Sequence, residues 1–188
     1  MTSFNKFFTL TSVILVILLS PNICSATTMV MCIDGYQDLL QSDATTPQSI
    51  KNHLKGKSCN HVVAWSWGLS QSGSTQGAGS LGRVNIQDIA ITKHADIWSS
   101  LLFIDIANQV SNRNATLYIF GSAPEGKLSV SISISSALVS SLSTGGSQGE
   151  DRLTENVTFN FARVEYYVYD VHGIPHKGCY NAASNSSC

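Results

Sequence analysis

From Leu128 to Ser135 the sequence reads Leu-Ser-Val-Ser-Ile-Ser-Ile-Ser. Apolar and hydroxyl side chains alternate without a break. Only an extended strand puts every second residue on one face, so Leu128, Val130, Ile132 and Ile134 point one way and four serines the other. A helix would scatter the same residues around its axis. The stretch predicts a half-buried strand that continues through Ala137 and Val139 to a Gly-rich turn at residues 143–152. After the turn, Val157, Phe159 and Phe161 share one face. Val164, Tyr166 and Val168 take over in the opposite phase, which predicts a bulge or bend near Ala162. A long antiparallel hairpin is therefore the framework.

The rest of the chain supplies shorter strands. Residues 28–34 read as a first strand stopped by Gly35. Residues 36–57 form a long polar segment with Pro47 and little periodicity, and a connection of that length is usually functional. In residues 59–71, Val63, Trp65 and Trp67 share one face, and Ala64, Ser66 and Gly68 the other. Residues 83–93 make a β-branched strand whose phase slips at Gln87 and Asp88. Residues 115–123 are apolar on both faces, as expected of a central or interface strand. The segment Ala-Asp-Ile-Trp-Ser-Ser-Leu-Leu-Phe-Ile-Asp-Ile from Ala95 is the one good helix. Asp96 is its N-cap or a first-turn acid favoured by the helix dipole, Ile97, Trp98, Leu101, Leu102 and Ile104 form its apolar surface, and Asn112 and Asn114 mark its exit turn. The predicted class is all-β with one α-helix, a small barrel of two packed antiparallel sheets.

Composition excludes several alternatives. The chain has 188 residues, 43% hydrophobic and only 12% charged, with net charge −1. Disorder would need more charge and less apolar content. With no basic block, neither nucleic acid nor an anionic membrane surface is expected as a partner. Residues 1–26 read as a signal peptide: Lys6, an apolar run from Phe7 to Leu19, a break at Ser20 and Pro21, and small residues at Cys24 and Ala26. The run is too short for a membrane span, so no stable anchor is expected after cleavage. Residues 27–170 read as one domain and residues 171–188 as a polar, cysteine-containing tail.

Cleavage would leave Cys32, Cys59, Cys179 and Cys188. An even count in an exported chain reads as disulfides. Three pairings are possible; proximity in the chain favours Cys32 with Cys59 and Cys179 with Cys188. The rival use of Cys179 and Cys188 is zinc binding with His172 and His176, the weaker reading for oxidised cysteines. Asn114, Asn156 and Asn185 head glycosylation-type triplets, expected by chance in so Asn- and Ser-rich a chain.

Catalytic motifs fare poorly. Gly77, Gly79 and Gly82 have the spacing of a dinucleotide turn, but they lie between two strands rather than before a helix. Ser70 misses a nucleophile elbow because Ser72 stands where the second Gly should be. Glu150, Asp151 and Glu155 sit in a polar turn, where solvated charge is the ordinary reading. Neither an enzyme nor a cofactor site is expected.

Ser66-Trp67-Gly68, a glycine-rich loop, Gly82-Arg83-Val84 with Asp88, then Thr92-Lys93-His94-Ala95-Asp96 with Ser99 follow one another in an order that resembles the haemolysin-coregulated protein (Hcp) family, the inner tube of the bacterial type VI secretion system. The hairpin from residue 126 to 170 resembles that family's closing strands. The resemblance implies a barrel similar to phage tail tubes, with one helix on its side. It implies homo-hexameric rings stacked into a tube, with a spike, a sheath and small effector proteins as partners. It places subunit contacts in the 36–57 loop, with Tyr36, Pro47 and Lys57 as candidate interface positions. A signal peptide departs from the family pattern and suggests an exported paralogue, periplasmic or extracellular. The alternative is a secreted monomeric binding module, or effector-like protein, on the same barrel.

Overall fold

The computed structural model describes residues 26–71, 84–121, 126–149 and 151–188. The expected signal segment up to Ser25, the glycine loop with Gly77 and Gly79, and Gly82 and Arg83 lie outside the described residues. In chain order the elements are β1 (Thr28–Ile33), α1 (Gln48–His53), β2 (Cys59–His61), β3 (Ala64–Ser66), β4 (Leu69–Gln71), β5 (Val84–Ile86) and β6 (Ile89–His94). Then follow α2 (Ile97–Ala107), β7 (Arg113–Phe120), β8 (Leu128–Gly145), β9 (Thr154–Tyr169), β10 (Pro175–Asn181) and β11 (Ser186–Ser187).

The alternating serines form β8, a strand of 18 residues paired along most of its length with β9. The phase change in β9 has a counterpart in β8. Ile132 and Ile134 face the core opposite Tyr166 and Val164, whereas Ala137 and Val139 face it opposite Phe161 and Phe159. Both strands skip a step at the same level, so the hairpin bends as a unit. Ser136 stands at the bend with φ +50°, a left-handed conformation uncommon for serine.

The bend divides the partners. Its far half carries the order β11-β10-β9-β8-β7-β1-β2, and its near half pairs β9 with β6 and β6 with β3. All of these pairings are antiparallel. The ladder is not a closed barrel: β2 and β3 do not pair. The chain itself links the two edges, because the Val62 N–H donates to Met29 O and the next N–H, of Val63, donates to Thr92 O. That switch explains why residues 59–71 are three short strands rather than the single strand expected. It also turns Val63 outward, 45% exposed, while Val62 is buried and Trp65 and Trp67 pack partly against the core.

Residues 84–94 break where the sequence slips phase, at Gln87 and Asp88, and β5 leaves the main sheet to pair with β4. The two breaks face each other, with the Gln87 N–H on Gly68 O at 3.0 Å. A Cβ on Gly68 would come 3.1 Å from Gln87 Oε1, so glycine permits the approach. Asp88 then ties the break to the hairpin. It accepts from Ser140 Oγ, at a register shift in β8, and from Asn160 Nδ2.

The described residues contain two helices, not one. The second, α1, lies in the segment read from sequence as a polar loop. It is six residues long, and only Ile50 and Leu54 at i, i+4 give it an apolar side, too little periodicity to recognise. Those two side chains, with Leu40, are fully buried against Val30, Cys32, Cys59, Tyr118 and Phe120. This second core explains why β7 is apolar on both faces: Leu117 faces the main core and Tyr118 and Phe120 face the α1 layer. The polar segment after residue 171 contains β10, which pairs with β9 from Arg163 to Tyr169.

Candidate functional site

The helix entry is built from the ordered motif residues. Lys93 sits on β6, opposite Glu155 on β9, and its side chain is 1% exposed. Its Nζ lies 2.9 Å from Glu155 Oε2 and 3.0 Å from Asp96 Oδ1, and donates to His94 O and Ser99 Oγ. Asp96 caps α2: its Oδ1 accepts from the Trp98 N–H, while Ser99 Oγ accepts from the Asp96 N–H and donates to Glu155. Asn60 Nδ2 reaches the other Asp96 oxygen. A buried ammonium is tolerable only when paired and fully hydrogen-bonded, and every residue here does one of those two things. The sequence had singled out Lys93 and Asp96. It placed Glu155 in a polar turn as solvated charge, whereas the structure buries it on β9, and it passed over Asn60; both are far away in the chain and meet the helix only through strand register.

The far end of α2 is held by a second cluster. Arg113 grips Asp105 with two hydrogen bonds of 2.9 and 2.8 Å, and Tyr36 donates to the same carboxylate at 2.8 Å. Burial and the Asp105 carboxylate push the Tyr36 phenol well above its ordinary range. Tyr36 also stands edge-on to Trp98, with ring centroids 5.0 Å apart. The expected interface residue is therefore a buried internal anchor in the isolated chain. Pro47 is the N-cap residue of α1, and the Lys57 ammonium lies over the Tyr118 ring.

The loop that carries α1 is tied down further. Asp43 Oδ2 and Thr46 Oγ1 both lie 2.7 Å from His61 Nε2. Partial burial works against the Asp43 charge. The Thr45 N–H and the hydroxyls of Thr46 and Thr45, with His61, outweigh it and hold the carboxyl well below the carboxylate range. Hydroxyl, imidazole and carboxylate suggest a hydrolytic triad, but both partners touch the same ring nitrogen. A relay needs them on opposite nitrogens. The cluster is a cross-link between loop and β2.

Cys32 is joined to Cys59, its register partner between β1 and β2, and Cys179 to Cys188. The latter pairing removes both thiolates from any tail zinc set. Among the described residues no three His, Cys, Asp or Glu side chains are placed to hold a metal ion.

Two exposed apolar features among the described residues stand out. On α2, Trp98, Leu102 and Asp105 are buried, yet Ile97, Phe103, Ile104 and Ile106 are exposed, Phe103 by 65%. The sequence treats Ile97 and Ile104 as covering residues; the structure turns them outward, because the helix lies on β8 and only the side facing the strands is covered. The second feature is an apolar groove of about 420 Å³ between β3–β4 and β9–β10. Trp65, Trp67, Leu69, Tyr166 and Tyr180 are its main walls. The Trp67 indole N–H is buried and has no acceptor among the described residues.

Comparison with known proteins agrees with this architecture. The family model described as "Type VI secretion system effector, Hcp" matches residues 43–167. Protein hcp1 of Pseudomonas aeruginosa is 47% identical over 84 residues, a match covering 44% of this chain and 52% of that relative. The match thus spans about half the length of the curated relative. A solved type six secretion system protein superposes with TM-score 0.70 at 17% identity, covering 87% of this chain and all of the other. Hcp1 from Salmonella typhimurium gives 0.67 at 21% identity, over 87% of this chain and 99% of the other. At such identities the structures speak for the fold, and the family match speaks for descent: this chain belongs to the Hcp family of type VI secretion system effectors.

Proposed function

We propose that the chain is a ring-forming structural subunit of tube type, whose homo-hexameric rings stack and carry small effector proteins, with a spike and a sheath as further partners. The observation that carries the reading is α2. Its side chains are apolar all round apart from serines and the buried Asp105, yet the described residues of its own subunit cover only one side. A helix of that kind is normally buried on every side, and in a ring-forming family the missing cover is another subunit. Export belongs to the proposal as well: residues 1–26 act as a cleaved signal peptide, residues 27–170 form the ring-forming domain, and the two disulfides suit an oxidising compartment, periplasmic or extracellular. No catalytic role is assigned to any residue.

The test is the mass of residues 27–188 in solution under oxidising conditions, by light scattering, with electron microscopy of the same fraction. Rings of six support the reading. A monomer at every concentration overturns it and favours a secreted binding module. Mass spectrometry of the protein recovered from cells locates the amino terminus; a chain still beginning at Met1 sinks the export proposal.

A further inference from the structure

The two exposed apolar features differ in shape. One is convex: Phe103 and Ile104 stand out from α2, flanked by Ile97 and the exposed Ser100. The other is concave, the groove walled by Trp65, Trp67, Leu69 and Tyr166. They belong to different elements. The helix packs on β8, whereas the groove opens on the β3–β4 side, with β9 and β6 between β8 and β3 in ladder order. The helix is pinned at its start by the Lys93 network and near its end by Arg113 on Asp105, so α2 cannot reach the groove of its own chain.

We infer that α2 of one subunit docks into the β3–β4/β9–β10 groove of the next, with Phe103 as the inserted side chain. The inference rests on the ring reading above and names its contact surfaces. A convex patch that fits a concave one elsewhere on the same molecule makes a head-to-tail contact, and such contacts close into rings when the rotation between subunits allows. The groove has the chemistry for this occupant. Its walls are aromatic and aliphatic, and its volume accommodates an aromatic ring with a neighbouring aliphatic side chain. No charged side chain of α2 faces outward, so nothing on the helix would be stranded by burial.

The experiment uses residues 27–188 with three variants. Phe103→Asp spoils the convex surface and leaves the groove intact. Leu69→Arg spoils the groove and leaves the helix intact. Both residues are more than half exposed, so both variants are expected to keep the wild-type circular dichroism and thermal transition. Ile104→Lys, also exposed, repeats the first test should Phe103→Asp fold poorly. Each variant alone is expected to run as a monomer under conditions where the wild type forms rings. Mixed in equal amounts, Phe103→Asp and Leu69→Arg retain one good helix and one good groove between them. They are expected to form a one-to-one dimer and nothing larger. Wild-type rings together with variants that also form rings would overturn the docking inference and leave the ring reading standing. Monomeric variants whose mixture stays monomeric would equally overturn the head-to-tail pairing. A wild type that never forms rings would overturn both.

Discussion

The two helices cover the two faces of the same β framework by different physical means. Helix α2 lies on the main core. It has a side-chain N-cap, a reciprocal hydrogen bond from Ser99, and an ion pair buried beneath its first turn. Helix α1 lies on the opposite face of β1 and β7. It is half as long, its N-cap residue is Pro47, and no side chain caps it. Alone, a helix of six residues would not form. It persists because Ile50 and Leu54 are buried under it, the Cys32–Cys59 bond closes the segment, and Asp43, Thr46 and His61 hold its approach. One cover is stabilised from within by its polar anchor, and the other is held down at its ends.

The sharpest way to break this contrast is at the polar anchor. Glu155→Ala leaves the buried Lys93 ammonium short of a partner, and a loss of about 3–5 kcal/mol is expected, measured by denaturant unfolding. Replacing Lys93 with Met and Glu155 with Leu together should cost much less; equal losses would mean packing, not charge, dominates there. The matching test on the other cover is Cys32→Ala with Cys59→Ala. Opening a loop of 27 residues is expected to cost about 3–4 kcal/mol in the chain-entropy picture. Hydrogen exchange should rise first in residues 36–57 while β8 and β9 stay protected. Uniform loss of protection would show that the α1 layer is not a separate unit.

Smaller changes sharpen the comparison. Asp96→Ala removes the N-cap of α2, and a loss of about 1–2 kcal/mol is expected, seen as a lowered Tm with the α1 layer unaffected in exchange. The smallest effect lies away from both covers, on the outer face of β9 and β10. Hydrogen bonds from Arg163, Tyr167 and Lys177 hold the Glu165 carboxyl down at about 2, against an ordinary value of 4.5. A depressed carboxyl stabilises the fold fully above its unfolded value and ceases to do so as pH falls through its folded one. Stability should therefore drop between about pH 4.5 and pH 2, and Glu165→Gln should flatten that drop modestly, since Arg163 and Lys177 are both partly exposed to solvent. An unchanged acid profile would mean the cluster contributes nothing to stability.

Much of the fold was legible because its signals are local. Strict alternation declared β8, the reversal of phase declared the bend in β9, and Asp96 ahead of an apolar run declared the start of α2. What escaped were features whose signal is spread through space. Helix α1 has too few apolar positions to show a period, and its apolar side exists only because Tyr118 and Phe120 on a distant strand offer a surface. The split of residues 59–71 into three strands follows from two sheet edges competing for adjacent N–H groups, a competition invisible along the chain. Tyr36 read as a loop residue because nothing near it in sequence reveals Asp105 and Arg113.

For the candidate surfaces the division is the same. The sequence by itself determined that Ile97, Phe103 and Ile104 belong to a helix, and that Trp65 and Trp67 lie on one side of extended chain, because helical and extended periods are properties of neighbouring residues. Only the tertiary structure decided which of those side chains are covered. Burial depends on which elements the strand register brings together: it placed Trp98 and Leu102 over the core, left Phe103 outside, and set β10 across from β3 and β4 to make the groove.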